Sequence, residues 1–161
     1  MKTLYIIRHA KSSWNFDLPD KDRPLNARGR KDVFKIAKHL SFNELTPDLI
    51  ISSVASRALY TALHIADAWG YPESDIQISD ELYHTSTEDI LNLLSQEGTG
   101  KSIAIFGHNP GFTDLINHFN ETYLDNLPTC GVVAFELDIE NWKDIQQAKA
   151  TEKLRAFPKR I

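Results

Sequence analysis

The sequence predicts an α/β domain, a three-layer sandwich in which a largely parallel central sheet carries helices on both faces. Two observations predict it. Leu4-Tyr5-Ile6-Ile7, Asp48-Leu49-Ile50-Ile51-Ser52 and Ser102-Ile103-Ala104-Ile105-Phe106 are apolar on consecutive positions, as strands covered on two faces should be. The segments between them repeat their apolar residues at helical spacing, so strand and helix alternate along the chain.

Each element has its own signal. After the first strand, Val33, Ile36, Ala37 and Leu40 fall on one helical face, and Asn26 suits the N-cap. After the second strand, Leu59, Ala62, Leu63 and Ala66 predict a helix that stops at Gly70. Ile76-Gln77-Ile78 predicts a short strand. Thr85 and Glu88 have capping-box spacing ahead of a helix with Ile90, Leu91 and Leu94. The Ser102–Phe106 strand runs into Gly107-His108-Asn109-Pro110-Gly111, where Asn109 suits a cap and Pro110 a first helical turn, followed by an apolar stripe of Phe112, Leu115, Ile116 and Phe119. Gly131 to Leu137 is rich enough in β-branched and aromatic residues for a strand, and Trp142 to Ala148 is expected to pair with it as an edge hairpin.

A chain of 161 residues can fill one sizeable core, and no stretch reads as a linker, so a single domain over residues 1–161 is expected. Apolar residues make up 42% and charged residues 25%, an ordinary globular composition. A net charge of −4 provides no broad field for a polyanion, so a nucleic-acid partner is not expected and any anion site must be local. The single cysteine, Cys130, excludes an internal disulfide and offers no thiol pair for zinc or redox work, which fits a reducing compartment. The apolar run before Arg8 is too short for a signal-peptide core, and nothing approaches a membrane span; a soluble, cytoplasmic protein with no membrane partner is expected.

In open parallel sheets, ligands gather beyond the carboxyl ends of the strands. Arg8 and His9 follow the first strand, Ser52-Ser53-Val54-Ala55-Ser56-Arg57 the second, Asp80-Glu81 the third, and Gly107-His108-Asn109 the fourth. Two arginines, two histidines and a carboxylate therefore converge on one edge, with helix N-termini at Arg57 and Asn109, as a bound phosphate dianion would require. Taken alone, Arg8-His9 is equally consistent with an arginine that ends a strand and a surface histidine.

Arg8-His9-Ala10 with Ser12 and Asn15, Arg23-Pro24-Leu25-Asn26-Ala27-Arg28-Gly29, Ser52 to Ala58 with Thr61, Glu81, and Gly107-His108-Asn109-Pro110-Gly111 follow one another in an order that resembles the histidine phosphatase superfamily, whose signature is Arg-His-Gly after the first strand. The short length, the Arg8-His9-Ala10-Lys11-Ser12 variant and the Gly107–Pro110 loop look most like its compact SixA-type phosphohistidine phosphatase branch. The resemblance implies a phosphoglycerate mutase-like fold and a nucleophilic His9 that is transiently phosphorylated. A neutral imidazole has an available lone pair and needs no base to expose it.

The resemblance further implies that Arg8, Arg57 and His108 hold the nonbridging oxygens, with Asn15 adding hydrogen bonds. Lys11 adds a cation at the mouth, and Ser12 and Asn109 complete the substrate-binding set. Neither metal nor other cofactor is expected, since the cationic groups supply the charge that magnesium supplies elsewhere. Glu81 stands at about the place of a general acid, in a branch that need not have one. Ala10 replaces the usual glycine, which the loop can accept if that residue keeps φ negative.

The expected activity is hydrolysis of a phosphoryl group through phosphohistidine on His9, with a phosphohistidine-bearing protein as the favoured substrate and small phosphomonoesters as the alternative. A non-catalytic phosphate-binding module is the alternative from another class; it could keep the arginines without the nucleophile. A phosphomutase would need a lid to shield its intermediate from water, and no long insertion offers one.

Other features have plainer readings. Gly98-Thr99-Gly100-Lys101-Ser102 lacks the first glycine of a nucleotide loop and precedes a strand, so it reads as a turn. His39, His64, His84 and His118 lack metal-ligand spacing and read as surface or structural histidines, His84 alone standing apart because it lies just beyond Glu81. Trp14, Trp69 and Trp142 read as packing residues, and Lys159-Arg160 is too short a charge run to mark a partner.

Overall fold

A computed structural model describes residues 1–161. Six strands, β1 (Lys2–Arg8), β2 (Leu49–Ser53), β3 (Gln77–Ser79), β4 (Ser102–Gly107), β5 (Val132–Leu137) and β6 (Ala150–Ala156), form one sheet in the order β3-β2-β4-β1-β5-β6. The first four in that order run parallel, while β5 pairs antiparallel with both β1 and β6. The helices are α1 (Ala27–Asn43), α2 (Ser56–Trp69), α3 (Thr87–Glu97) and α4 (Gly111–Phe119). None is long and apolar enough to cross a membrane.

The pleat explains the three layers. Successive strand residues point to opposite faces, so Leu4 and Ile6 join Ile103, Ile105, Val133 and Phe135 in one core with α3 and α4. Tyr5 and Ile7 join Ile50, Ala104, Phe106 and Val132 in the other, beneath α1 and α2. This double burial is why the central strands are apolar on consecutive positions.

The caps of α1 and α2 follow the sequence closely. Asn26 accepts the Gly29 amide at 2.8 Å, and Gly70 closes α2 in the left-handed region at φ 75°. Gly29 has a second reason to lack a side chain: a Cβ there would lie 2.1 Å from the Lys11 carbonyl oxygen, where α1 presses on the loop after β1. Gly98–Ser102 is the expected turn, its Lys101 amide donating to Asp48 at 2.6 Å.

Four details differ from expectation. The buried side of α2 is Ala58, Thr61, Ala62, Ile65, Ala66 and Trp69, with Leu59 and Leu63 only half-buried, because Arg57 and Thr61 turn inward toward the strand ends. Ser86, not Thr85, caps α3 by accepting the Asp89 amide. Trp142–Gln147 is a short helical segment, not a strand; its Trp142 and Ile145 pack in the α3 core, and the strand beside β5 is Ala150–Ala156. Trp69 and Trp142 are packing residues as expected, but Trp14 is 75% exposed, with the Arg23 guanidinium 3.5 Å from its ring centre.

Candidate active site

His9 and His108 meet because β1 and β4 are parallel neighbours that end together. Arg8 pairs in register with Gly107, and the His9 amide donates to the Gly107 carbonyl at 3.0 Å. The chain leaves both strands at this point, placing the imidazole centres 5.0 Å apart and burying the two residues to 7% and 6% exposure. Arg57 enters from the first turn of α2, whose N-terminus has no side-chain cap.

The tautomer of His9 follows from its partner. Nδ1 lies 2.7 Å from the Ala10 carbonyl, which can only accept, so the proton sits on Nδ1 and the lone pair on Nε2. Burial pushes the His9 pKa down to about 3, and the nearby His108, Arg57 and Arg8 add to the shift against the opposing Ala10 hydrogen bond. His108 is also held at about 3, by burial first and then by Arg57. Its Nε2 lies 2.8 Å from the Ser53 hydroxyl, which already accepts the Ala55 amide. This contact ties the His108 ring to the end of β2. Both rings are neutral at pH 7.

Three buried nitrogens near His9 have no hydrogen-bond partner: the guanidinium donors Arg8 Nε and Arg57 Nε, and His108 Nδ1. Buried polar groups are rarely left unsatisfied, and two guanidiniums held this close to His9 give the site a positive charge suited to an anion.

The surrounding loops are braced to hold these groups. Arg8 Nη1 donates to the Leu127 carbonyl at 2.9 Å, and Asn109 Nδ2 donates to the same carbonyl at 3.0 Å. The Cys130 amide donates to the His9 carbonyl at 3.0 Å, from a residue in the left-handed region at φ 59°. Cys130 is buried, which pushes its thiol pKa up and leaves it unreactive. The Ala10 amide donates to Thr61 Oγ1, which donates to the Arg57 carbonyl, so one threonine ties the loop after β1 to α2. Ala10 is fully buried without positive φ, as the loop required.

The sequence-predicted set divides accordingly. Arg8, His9, Arg57 and His108 are brought together. Asn109 is close by, but its amide oxygen accepts the Thr113 amide and hydroxyl while its nitrogen donates to Asn126 and Leu127. Through these bonds its side chain braces residues 126–127 against α4. Ser12 is likewise occupied: its buried hydroxyl accepts Arg23 Nη1 at 2.6 Å. Lys11 and Asn15 are exposed on the loop and their side chains make no hydrogen bond. Glu81 is exposed on the turn Asp80–Leu82, lining a cleft with His84 and Asp89, and its carboxylate makes no hydrogen bond or ion pair with His9 or Arg57.

Asp20 and Tyr83 were not anticipated. Arg57 donates from Nη1 to the Asp20 carbonyl at 2.8 Å and from Nη2 to its carboxylate at 3.1 Å, Arg23 Nε donates to the same carboxylate, and so does the Tyr83 hydroxyl. These partners, Tyr83 first, hold the Asp20 carboxyl far below the usual carboxylate range despite the opposing effect of burial. Tyr83 also stands edge-on to His108 at 5.5 Å. The only sequence hint was the presence of Asp20 shortly before Arg23.

Comparison with known proteins agrees with this geometry. Residues 4–97 match the histidine phosphatase superfamily (branch 1). A chloroplast protein of Arabidopsis thaliana is 29% identical over 153 residues, covering 89% of this chain and 70% of that one. A 2,3-bisphosphoglycerate-dependent phosphoglycerate mutase of Chelativorans sp. is 32% identical over 73 residues, covering 44% of this chain and 35% of that one. Among solved structures, a protein of Agrobacterium tumefaciens assigned as the phosphohistidine phosphatase SixA superposes with a TM-score of 0.82 at 26% identity, covering 98% of both chains. A protein histidine phosphatase SixA complexed with tungstate shares the fold at a TM-score of 0.81 and 19% identity, with 97% of both chains covered. The paired histidines, the arginines beside them and these matches all agree: the chain belongs to the histidine phosphatase superfamily and is a phosphatase of its SixA-like group.

Proposed function

We propose that the enzyme hydrolyses phosphohistidine on a protein, through a covalent phosphoryl intermediate on His9. The observation that carries the mechanism is the pair of guanidiniums with unpartnered Nε atoms, Arg8 and Arg57, and the His108 ring 5.0 Å away, around an imidazole whose Nε2 lone pair is free. The Nε2 pair forms a bond to phosphorus as the phosphorus–nitrogen bond of the substrate breaks, and the departing imidazole takes its proton from solvent. Water then attacks the phosphoryl group on His9, loses a proton, and releases inorganic phosphate with the Nε2 pair restored. The donors stabilise charge on the nonbridging oxygens in both steps. The SixA structures named above support the substrate class, and so does the leaving group, since an imidazole departs with little help.

A second reading, hydrolysis of small phosphomonoesters, draws on the partial match to the phosphoglycerate mutase. Rapid quenching during turnover tests the mechanism: an acid-labile, base-stable phosphoryl group is expected on His9, and label on any other residue overturns it. Activity is expected to persist with chelator present. Turnover of small alkyl phosphates without any turnover of phosphohistidine protein would make the second reading the correct one.

A further inference from the structure

A groove of about 420 Å³ lies beside the active site, between the start of α1, the loop 124–129 and the chain that follows β6. It faces the same edge of the sheet as His9. β6 runs parallel to β1 with β5 between them, Ile7 pairing with Val132 and Val132 with Ala156. Two strand spacings separate the groove from β1, about 10 Å, a distance that three or four residues of extended peptide cover. The loop 124–129 is the common wall. Its Leu127 carbonyl holds Arg8 on one side, while Asp125, Pro128 and Thr129 line the groove on the other.

The groove is locally basic on a chain of net charge −4: Arg28, Arg155, Lys159 and Arg160 line it against Asp32 and Asp125. Arg28 lies 3.8 Å from Asp32, and Arg155 is held by Glu152, but Lys159 and Arg160 have no carboxylate partner. Arg155 and Arg160 stand at 5.7 and 5.8 Å from the centre of the Phe157 ring, an aromatic wall between two guanidiniums. The four cations come from both ends of the sequence, so no charge run reveals them, and Lys159-Arg160 alone is too short to signify. None of the buried unpartnered donors lies here. The groove is therefore not a cradle for one small anion. Its solvent-facing cations, spread along a channel whose hydrophobic side chains are Leu124 and Phe157, fit a chain carrying several negative charges.

We propose that this groove is a docking subsite for an acidic segment of the protein substrate, flanking the phosphorylated histidine that enters the His9 site. The inference rests on the reading of a protein substrate and adds the determinant by which one would be chosen. Such contacts are salt-sensitive and individually modest, and they act on KM, because they are equally present in ground and transition states.

The test uses two synthetic peptides of equal length, each phosphorylated on a single histidine with phosphoramidate, one flanked by glutamates and the other by glutamines. The wild-type enzyme is expected to favour the glutamate peptide in kcat/KM by about threefold to tenfold at low salt. The double variant Lys159→Gln, Arg160→Gln is expected to lose that preference through KM, with Arg28→Gln giving part of the same loss. Hydrolysis of p-nitrophenyl phosphate stays unchanged in both variants.

A preference that is absent from the wild type, or that survives in the double variant, overturns the inference. A binding arm separates it from the substrate reading: the unphosphorylated glutamate peptide, followed by fluorescence anisotropy, should bind the wild type and not the double variant. Binding without hydrolysis of either phosphopeptide would refute the phosphohistidine reading and keep the groove. Hydrolysis of both peptides without such binding would do the reverse. Equal binding of single-stranded DNA would show an unselective cationic patch and overturn the inference.

Discussion

Asp20 occupies the Arg57 guanidinium twice over, its carbonyl taking Nη1 at 2.8 Å and its carboxylate taking Nη2 at 3.1 Å. A phosphoryl group that uses the Arg57 fork must draw it away from this carboxylate or bind beside a fixed negative charge. Asp20 is thus a built-in competitor for the substrate's anion, half-exposed at the mouth while Arg57 is buried.

Replacing the charge and keeping the shape should relieve that competition. Asp20→Asn is expected to tighten inhibition by tungstate or inorganic phosphate by about threefold to tenfold, the scale of one partly exposed charge-assisted hydrogen bond. Ki values for both anions, measured on wild type and variant, check this; a weaker Ki would show that Asp20 serves instead to aim Arg57.

The two histidines make a prediction about acid. Each is held at about 3 in the fold, against an ordinary value of 6.5. Above 6.5 both folded and unfolded rings are neutral and nothing changes. As the pH falls from 6.5 toward 3, the unfolded chain takes up protons that the fold refuses, so stability declines over that window. At pH 5 the cost is up to about 2 kcal/mol for each ring. Urea unfolding at pH 7 and pH 5 should show this loss, and His9→Gln or His108→Gln should each remove part of it. For the same reason, protonation of His9 should not appear as an acid limb near pH 6.5 in kcat/KM.

Much of this was legible in the sequence because double burial and strand ends leave marks on residue type. Ile6, Ile105 and Ile50 announce strands covered on both faces, and Arg8-His9 and Gly107-His108 fall where parallel strands must end together. The misses have equally specific causes. Ala150–Ala156 is an edge strand that alternates exposed charges with half-buried residues, whereas the more apolar Trp142–Ile145 segment packs as helix. Asp20 and Tyr83 lie 63 residues apart and meet only when the loop after β1 folds over the turn after β3, a contact with no periodicity to betray it. Asn109 belongs to the expected substrate-binding set; the fold also engages its side-chain amide with Leu127 and Thr113, a bracing role that residue type alone does not announce.

That assignment can be checked directly. Asn109→Ala removes the hydrogen bonds to Asn126, Leu127 and Thr113 at once, and with them the second support of the carbonyl that holds Arg8. A loss of about 1–3 kcal/mol in stability is expected, together with a fall in kcat as Arg8 loses its fixed position. Asn109→Asp should restore part of the stability, because its carboxylate still accepts the Thr113 amide and hydroxyl. A variant with altered KM and unchanged stability would instead make Asn109 a substrate contact.

Whether Glu81 takes part in the reaction turns on the leaving group. An alkoxide leaving a phosphomonoester is strongly basic and needs a proton as the bond breaks, whereas a departing imidazole has a pKa of roughly 6.5 and leaves with little help. Glu81 is exposed on the turn after β3, and its amide, not its carboxylate, is held, by Ser79. An untethered carboxylate can reach a substrate that enters from solvent, but nothing positions it against His9. If it acts as an acid, Glu81→Gln should cost far more with alkyl phosphates than with phosphohistidine or an aryl phosphate whose phenol leaves readily. On a site built for phosphohistidine, the variant is expected to retain nearly full turnover of a phosphohistidine protein. Comparable losses on all three substrate types would show that Glu81 is not a leaving-group acid. A large, selective loss on phosphohistidine would contradict the leaving-group argument itself, because that is the bond least in need of a proton donor.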